Sequence, residues 1–129
     1  MPTMDEVYLG NPLLKKANVK QEFTKEQILE FVACKNDPVY FAKQHVKIVS
    51  LDEGLVPFEP YDFQEKLIRN FQENRYNICK MPRQTGKSTT SVSYLLHYAV
   101  FNDNVNIGIL ANKAATARDL LGRLQTAYE

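Results

Sequence analysis

The stretch CKMPRQTGKSTTSVSYLL, Cys79 to Leu96, decides how the rest of the chain is read. It contains Gly86-Lys87-Ser88, the closing half of the phosphate-binding pattern G-x-x-x-x-G-K-[ST]. Met81 stands where that pattern has its first glycine, and Arg83 sits inside the loop. Gly-Lys followed by Ser or Thr arises by chance in roughly one chain in fifteen of this length at average composition. The tripeptide alone is therefore weak, and its surroundings must carry the reading.

Those surroundings fit. YNICK, residues 76–80, is short, apolar and β-compatible, and after the loop STTSVSYLLHYAVF reads as a helix to about Phe101. A strand stopping at Lys80 and a helix starting at Lys87 converge loop and first-turn N–H groups on one point, where phosphate oxygens fit. Gly86 lets the backbone come close, Lys87 reaches the β and γ phosphates, and the Ser88 hydroxyl helps complete a magnesium shell. Gln84, Thr85 and Thr89 are the neighbouring candidate contacts. Pro82 fixes φ where the missing glycine would have turned the chain. Arg83 brings a permanent charge that can fork onto phosphate oxygens or reach a neighbouring loop. ATP and Mg2+ are the expected cofactors, with Arg83 and Lys87 the candidate catalytic groups.

About 20 residues upstream, FEPYDFQEKLI opens a helix predicted from Pro60 to near Asn74, with Phe63, Leu67, Ile68 and Phe71 as its apolar stripe. Gln64 lies at its start beside Phe63; an amide can donate to one adenine nitrogen and accept from the exocyclic amine. Farther upstream, Thr24 and Gln27 fit a capping box, with Phe23 and Ile28 as a hydrophobic staple, predicting a helix to about Lys35 with Ile28, Phe31 and Val32 on one face. Asp37-Pro38 opens another short helix through Val39, Phe41 and Ala42. Val46, Ile48 and Leu51 suggest a short strand or extended segment closed by Gly54, Pro57 and Pro60. Asp52-Glu53 mimics a magnesium-binding strand end, but it precedes the phosphate loop instead of following it, and a surface turn is expected. Residues 1–22 show no sustained period and read as an arm.

Downstream, NVNIGIL (104–110) is predicted as a second strand and NKAATARDLLGRLQTAYE as a final helix with Ala117, Leu120, Leu121 and Leu124 inward. Strand, loop, helix, strand, helix is the opening of a doubly wound α/β sheet, parallel with helices on both faces. Residues 1–57 are expected to form an arm and helical subdomain, and 58–129 the first part of the nucleotide-binding core.

Composition agrees with a single folded unit: 129 residues, 44% hydrophobic, with seven Tyr and seven Phe. A net charge of +1 gives no global basic field, so any nucleic-acid contact must be local. Two cysteines cannot build a disulfide framework; Cys79, in an apolar run, is expected to be a buried reduced thiol. His45 and His97 read as structural or solvated, and no Cys/His spacing suggests zinc. There is no basic-then-apolar leader at the start and no apolar run of membrane-spanning length, so an intracellular, soluble protein is expected.

A glutamine motif followed by R-Q-x-G-K-[ST] without the first glycine resembles the large terminase subunit of tailed bacteriophages, nearest the T-even-like branch. The likeness runs through NPLLKKANVKQEFTKEQI, NDPVYFA, YDFQEKLI, RQTGKSTT and VNIGILANKAATARDLL, with Arg83 to Ser88 its most specific part. The resemblance implies an ASCE-type P-loop ATPase whose hydrolysis drives double-stranded viral DNA into a procapsid. Implied partners are that DNA, the portal protein and the small terminase subunit. A homo-oligomeric ring is implied as well, in the host cytoplasm, docked transiently on the procapsid and away from membranes. Gln64, with Phe63, would read adenine, and Arg83 would sense or stabilise the γ-phosphate. Lys113 and Arg118, in ANKAATARD, are candidates for a DNA-facing loop.

No strand ending in Asp-Glu follows the loop within these residues, nor do any nuclease carboxylates. The 129 residues are thus expected to be the front of a motor, hydrolysing ATP at no more than background on their own. Competing readings are a superfamily 2 helicase or translocase fragment, which shares the glutamine and phosphate-loop motifs, and a nucleotide-binding or interaction module without turnover.

Overall fold

The computed structural model describes residues 7–50 and 52–128. The expectations for the first six residues and for Leu51 lie outside them. Two short strands, β1 (Val7–Tyr8) and β2 (Asn11–Lys15), pair as an antiparallel hairpin, so the predicted arm is partly a ribbon. Leu9 and Gly10 turn it with positive φ, 52° and 77°.

Helix α1 (Lys25–Asn36) starts at the expected capping box: Thr24 Oγ1 accepts from the Gln27 N–H, and Gln27 Oε1 from the Thr24 N–H. Helix α2 (Pro38–His45) starts where Asp37 Oδ1 accepts the N–H groups of Val39 (2.9 Å) and Tyr40 (3.2 Å), with Pro38 in the first turn. One aspartate ends one helix and caps the next, which fixes the angle between them.

β3 (Lys47–Ser50) and β4 (Gly54–Pro57) pair as a second antiparallel hairpin, in register from Lys47 opposite Pro57 to Ser50 opposite Gly54. Asp52 and Glu53 sit exposed at its turn, as expected of a decoy. Helix α3 (Asp62–Glu73) buries Gln64, Leu67 and Ile68 at helical spacing. Helix α4 (Lys87–Phe101) is the central element, and α5 (Ala114–Tyr128) lies against it.

The core gathers Cys34, Val39, Phe41, Ala42, Val46, Phe58, Ile68 and Leu96, with Tyr94, Phe101, Leu124 and Ala127 packed on it. Residues on both sides of position 57 share this one core. His97 is buried within it. Its Nε2 lies 2.8 Å from the Cys34 carbonyl, and its ring packs on Phe101 (4.8 Å between centroids) and edge-on to Phe41 (5.4 Å). Ion pairs Lys43–Glu65 and Arg69–Asp37 flank the α2–α3 contact.

Several expectations require correction. The fold is mixed α/β, but among the described residues the only ladders are the two antiparallel hairpins, and no parallel sheet forms. Residues 77–80 and 105–110 belong to no ladder. A strand exists only by pairing, and neither segment has a strand beside it. Residues 105–110 still alternate half-buried and exposed, with Val105, Ile107 and Ile109 facing protein, while Ile78 is 100% exposed. The same lack of cover leaves Cys79 exposed, where a buried thiol was expected; Cys34 is the buried one. Ile28, Phe31 and Val32 are largely exposed because α1 turns Cys34 toward the core instead. Phe63 and Leu121 are also exposed, leaving Leu67, Ile68, Leu120 and Leu124 to face inward.

Candidate functional site

The Met81–Lys87 turn approaches α4 from its N-terminal end. Gln84 and Gly86 both take the left-handed conformation, with φ of 60° and 73°. Gly86 is the N-cap of α4, and no side chain caps that helix. Its carbonyl accepts from the Thr90 N–H (2.9 Å) and from Thr90 Oγ1 (2.9 Å). The amides of Lys87, Ser88 and Thr89 precede the first intrahelical bond and face outward as orphan donors at the positive end of the helix. Ser88 and Thr89 beside them are half-buried. An anion is the ligand such an end accepts.

Lys87 folds back over the loop, its Nζ donating to the carbonyls of Met81 (3.0 Å) and Pro82 (3.1 Å). Thr85 Oγ1 closes the turn by donating to the Pro82 carbonyl at 3.0 Å. The ammonium thus sits over the loop, on weak neutral acceptors that a phosphate oxygen would outcompete. Arg83 is exposed at the apex of the turn.

Gln64 is the link to α3, and only 4% of it is exposed. Its Oε1 accepts from the Tyr61 N–H (2.9 Å) and its Nε2 donates to the Thr85 carbonyl (3.1 Å). A Cβ added to Gly86 would overlap Nε2, so a larger residue there would have to displace the Gln64 amide and would also strain φ. One amide hydrogen and one oxygen lone pair of Gln64 have no partner within the described residues. The structure therefore brings Gln64, Thr85, Gly86 and Lys87 together, with Gln84, Ser88 and Thr89 adjacent in chain.

Tyr61 was not singled out in the sequence, yet its ring stacks on Phe63 at 5.8 Å and 12°, and both rings are exposed. The i, i+2 spacing of two aromatics around a helix start was the available signal. Lys113, just before α5, and Arg118, in its second turn, are both exposed. The residues present suit a nucleotide polyphosphate with its cation: donors for oxygens, one lysine, hydroxyls, and an aromatic shelf next to an amide.

A second constellation escaped the sequence reading, which found no metal-like spacing. Glu30 and Cys34 lie one turn apart on α1, and packing of α2 brings in His45. Glu30 Oε1 lies 2.9 Å from His45 Nε2 and accepts from Cys34 Sγ at 3.5 Å, while Oε2 accepts from the Tyr40 hydroxyl at 2.9 Å. These bonds, from His45 first and then Tyr40, hold the Glu30 carboxyl below its usual range. Burial, then the Glu30 carboxylate, pushes the Cys34 thiol up to about 11. The i, i+4 pair was legible, but its partner 11 residues beyond was not.

Compared with known protein families, the sequence matches no family model.

Proposed function

We propose that this chain is the ATP-binding front of a DNA-packaging motor of the large-terminase kind. The observation that carries the nucleotide reading is the uncapped N-terminus of α4, where left-handed Gly86 and the folded-back Lys87 meet the Gln64 amide. An ordinary strand-to-helix turn has no need of an uncapped helix end, a lysine over the loop and a buried glutamine bracing it from another helix. Lys87 and the first-turn amides would hold the phosphates, Ser88 would help hold Mg2+, and Arg83 stands free to meet the γ-phosphate or a neighbouring subunit. Mg2+, when bound, neutralises charge on the phosphate oxygens. The exposed Tyr61–Phe63 stack beside Gln64 offers a face for the base.

The packaging assignment rests on the likeness of Arg83 to Ser88, of the Gln64 motif and of the N-terminal segments to terminase sequences. Under this reading, residues 76–80 and 104–110 are strands of a parallel sheet whose neighbours come from further polypeptide. The exposed apolar Ile78 and Leu110 support that. Double-stranded DNA, a portal, a small subunit and a ring of copies would be the partners, with Lys113 and Arg118 toward DNA.

Displacement of a fluorescent ATP analogue by ATP, ADP and GTP tests the reading. Adenine nucleotides should compete better than GTP, and Gln64→Ala should narrow that gap. Equal competition before and after the substitution would remove the base-reading role.

A further inference from the structure

We propose that Glu30, Cys34 and His45 form a zinc site that clasps α1 to α2, about which the nucleotide site says nothing. The three ligand atoms lie within 4.8 Å of one another. Zinc bonded at about 2.0–2.3 Å to oxygen, nitrogen and sulfur sets tetrahedral edges of about 3.3–3.6 Å. The Glu30–Cys34 edge, 3.5 Å, already has that length, and the Glu30–His45 edge, 2.9 Å, is slightly short. The third edge exceeds it by little more than about 1 Å at most. The His45 side chain, 47% exposed, has room to make that adjustment.

The donor set selects the metal. A thiolate, an imidazole and one carboxylate oxygen suit zinc and neighbouring transition ions, whereas Mg2+ and Ca2+ want oxygen alone. Binding displaces the Cys34 proton to solvent, so the thiolate, not the thiol, is the ligand.

The surroundings are arranged as metal ligands require. Tyr40 donates to Glu30 Oε2 and thereby leaves Oε1 turned toward Cys34 and His45, the role an outer-shell hydrogen bond plays around a ligating carboxylate. The Phe41 ring stands 5.9 Å from that of His45, on one side of it. The site opens on a groove of about 550 Å³ walled by Phe31, Phe41 and Phe101 and edged by Glu26 and Gln27. Three protein ligands and an open side leave a fourth position for water or an incoming donor. Cys34 is buried and lines that groove together with the other two ligands.

The test is titration of the chain, carrying Cys79→Ala to remove the exposed thiol, with Zn2+ in competition with a chromophoric chelator and with Co2+ read by absorption. The proposal expects one equivalent of metal and a near-ultraviolet thiolate-to-cobalt charge-transfer band. His45→Gln, at a half-exposed position that leaves the core intact, should weaken Zn2+ at least tenfold. Cys34→Ser should abolish the band, and Tyr40→Phe should weaken binding by about tenfold while keeping it. Absence of stoichiometric binding would overturn the site. So would a cobalt spectrum without the thiolate band, or affinity indifferent to His45→Gln.

Discussion

The two halves of α4 do opposite work. Its first turn is uncapped, half-exposed and polar, with Gly86, Lys87, Ser88 and Thr89 arranged around empty donor directions. From Val92 to His97 it is largely buried and packed among aromatic rings, with Leu96 in the core and His97 against it. One helix therefore anchors the fold at one end and, under the proposed function, offers a binding end at the other. Substitutions should separate these roles by position along a single element.

The largest effect belongs to the buried end. Ile68 on α3 is 0% exposed in the core beside Leu96, and Ile68→Ala should cost about 2–5 kcal/mol in urea unfolding. Below its melting point, that variant should still bind nucleotide. Loss of binding while the variant is demonstrably folded would mean that the two ends are not separable.

Gly86→Ala should cross the divide. It forces a Cβ into the left-handed region, at about 1–2 kcal/mol, and into Gln64 Nε2. Both stability and nucleotide binding should fall. Pairing it with Gln64→Ala, which removes the overlap, should recover part of the stability and none of the φ strain. A double variant no more stable than the sum of its parts predicts would place the whole cost in the backbone.

A smaller effect is the pH dependence of the buried end. Burial, opposed by hydrogen bonds to the carbonyls of Cys34 and Lys35 and by nearby Asp37, lowers the His97 pKa below its ordinary 6.5. The unfolded chain then binds the proton more readily than the folded one. The neutral imidazole's contribution is present above about pH 6.5 and is lost as the pH falls below it. Asp37 is also lowered: burial alone would raise it, but the Tyr40 and Val39 amides and Arg69 prevail. Its contribution is lost only near pH 4 and below, so the two windows are distinct. Urea midpoints at pH 7.5 and 5.5 should fall for the native chain and change less for His97→Gln. Parallel declines in both would clear His97 of the effect.

Legibility in the sequence followed the same divide between local and distant causes. The Thr24–Gln27 box and the Asp37-Pro38 start were readable because caps act within four residues, and the α3 and α4 boundaries because the apolar stripe of one and the Gly86 turn before the other are equally local. The Gly86-Lys87-Ser88 turn was readable for the same reason. Residues 76–80 and 104–110 were read as strands from apolar composition, yet a ladder depends on a neighbour that no local pattern supplies. Cys79 failed with them, since its burial assumed that sheet. Gln64 was found, but not its bond to the Thr85 carbonyl, which depends on how α3 meets the loop. His45 reaching Glu30 likewise follows from the angle between α1 and α2.

The central claim is that the polar end of α4 is a nucleotide-phosphate site, and a titration with ATP and Mg2+ on native and Lys87→Ala chains tests it most directly. Lys87 makes only hydrogen bonds to two loop carbonyls in the chain itself, so its loss should leave the fold and its melting temperature nearly unchanged. The account predicts saturable binding to the native chain and a loss of at least tenfold in affinity for Lys87→Ala. Equal affinity in the two chains would contradict it.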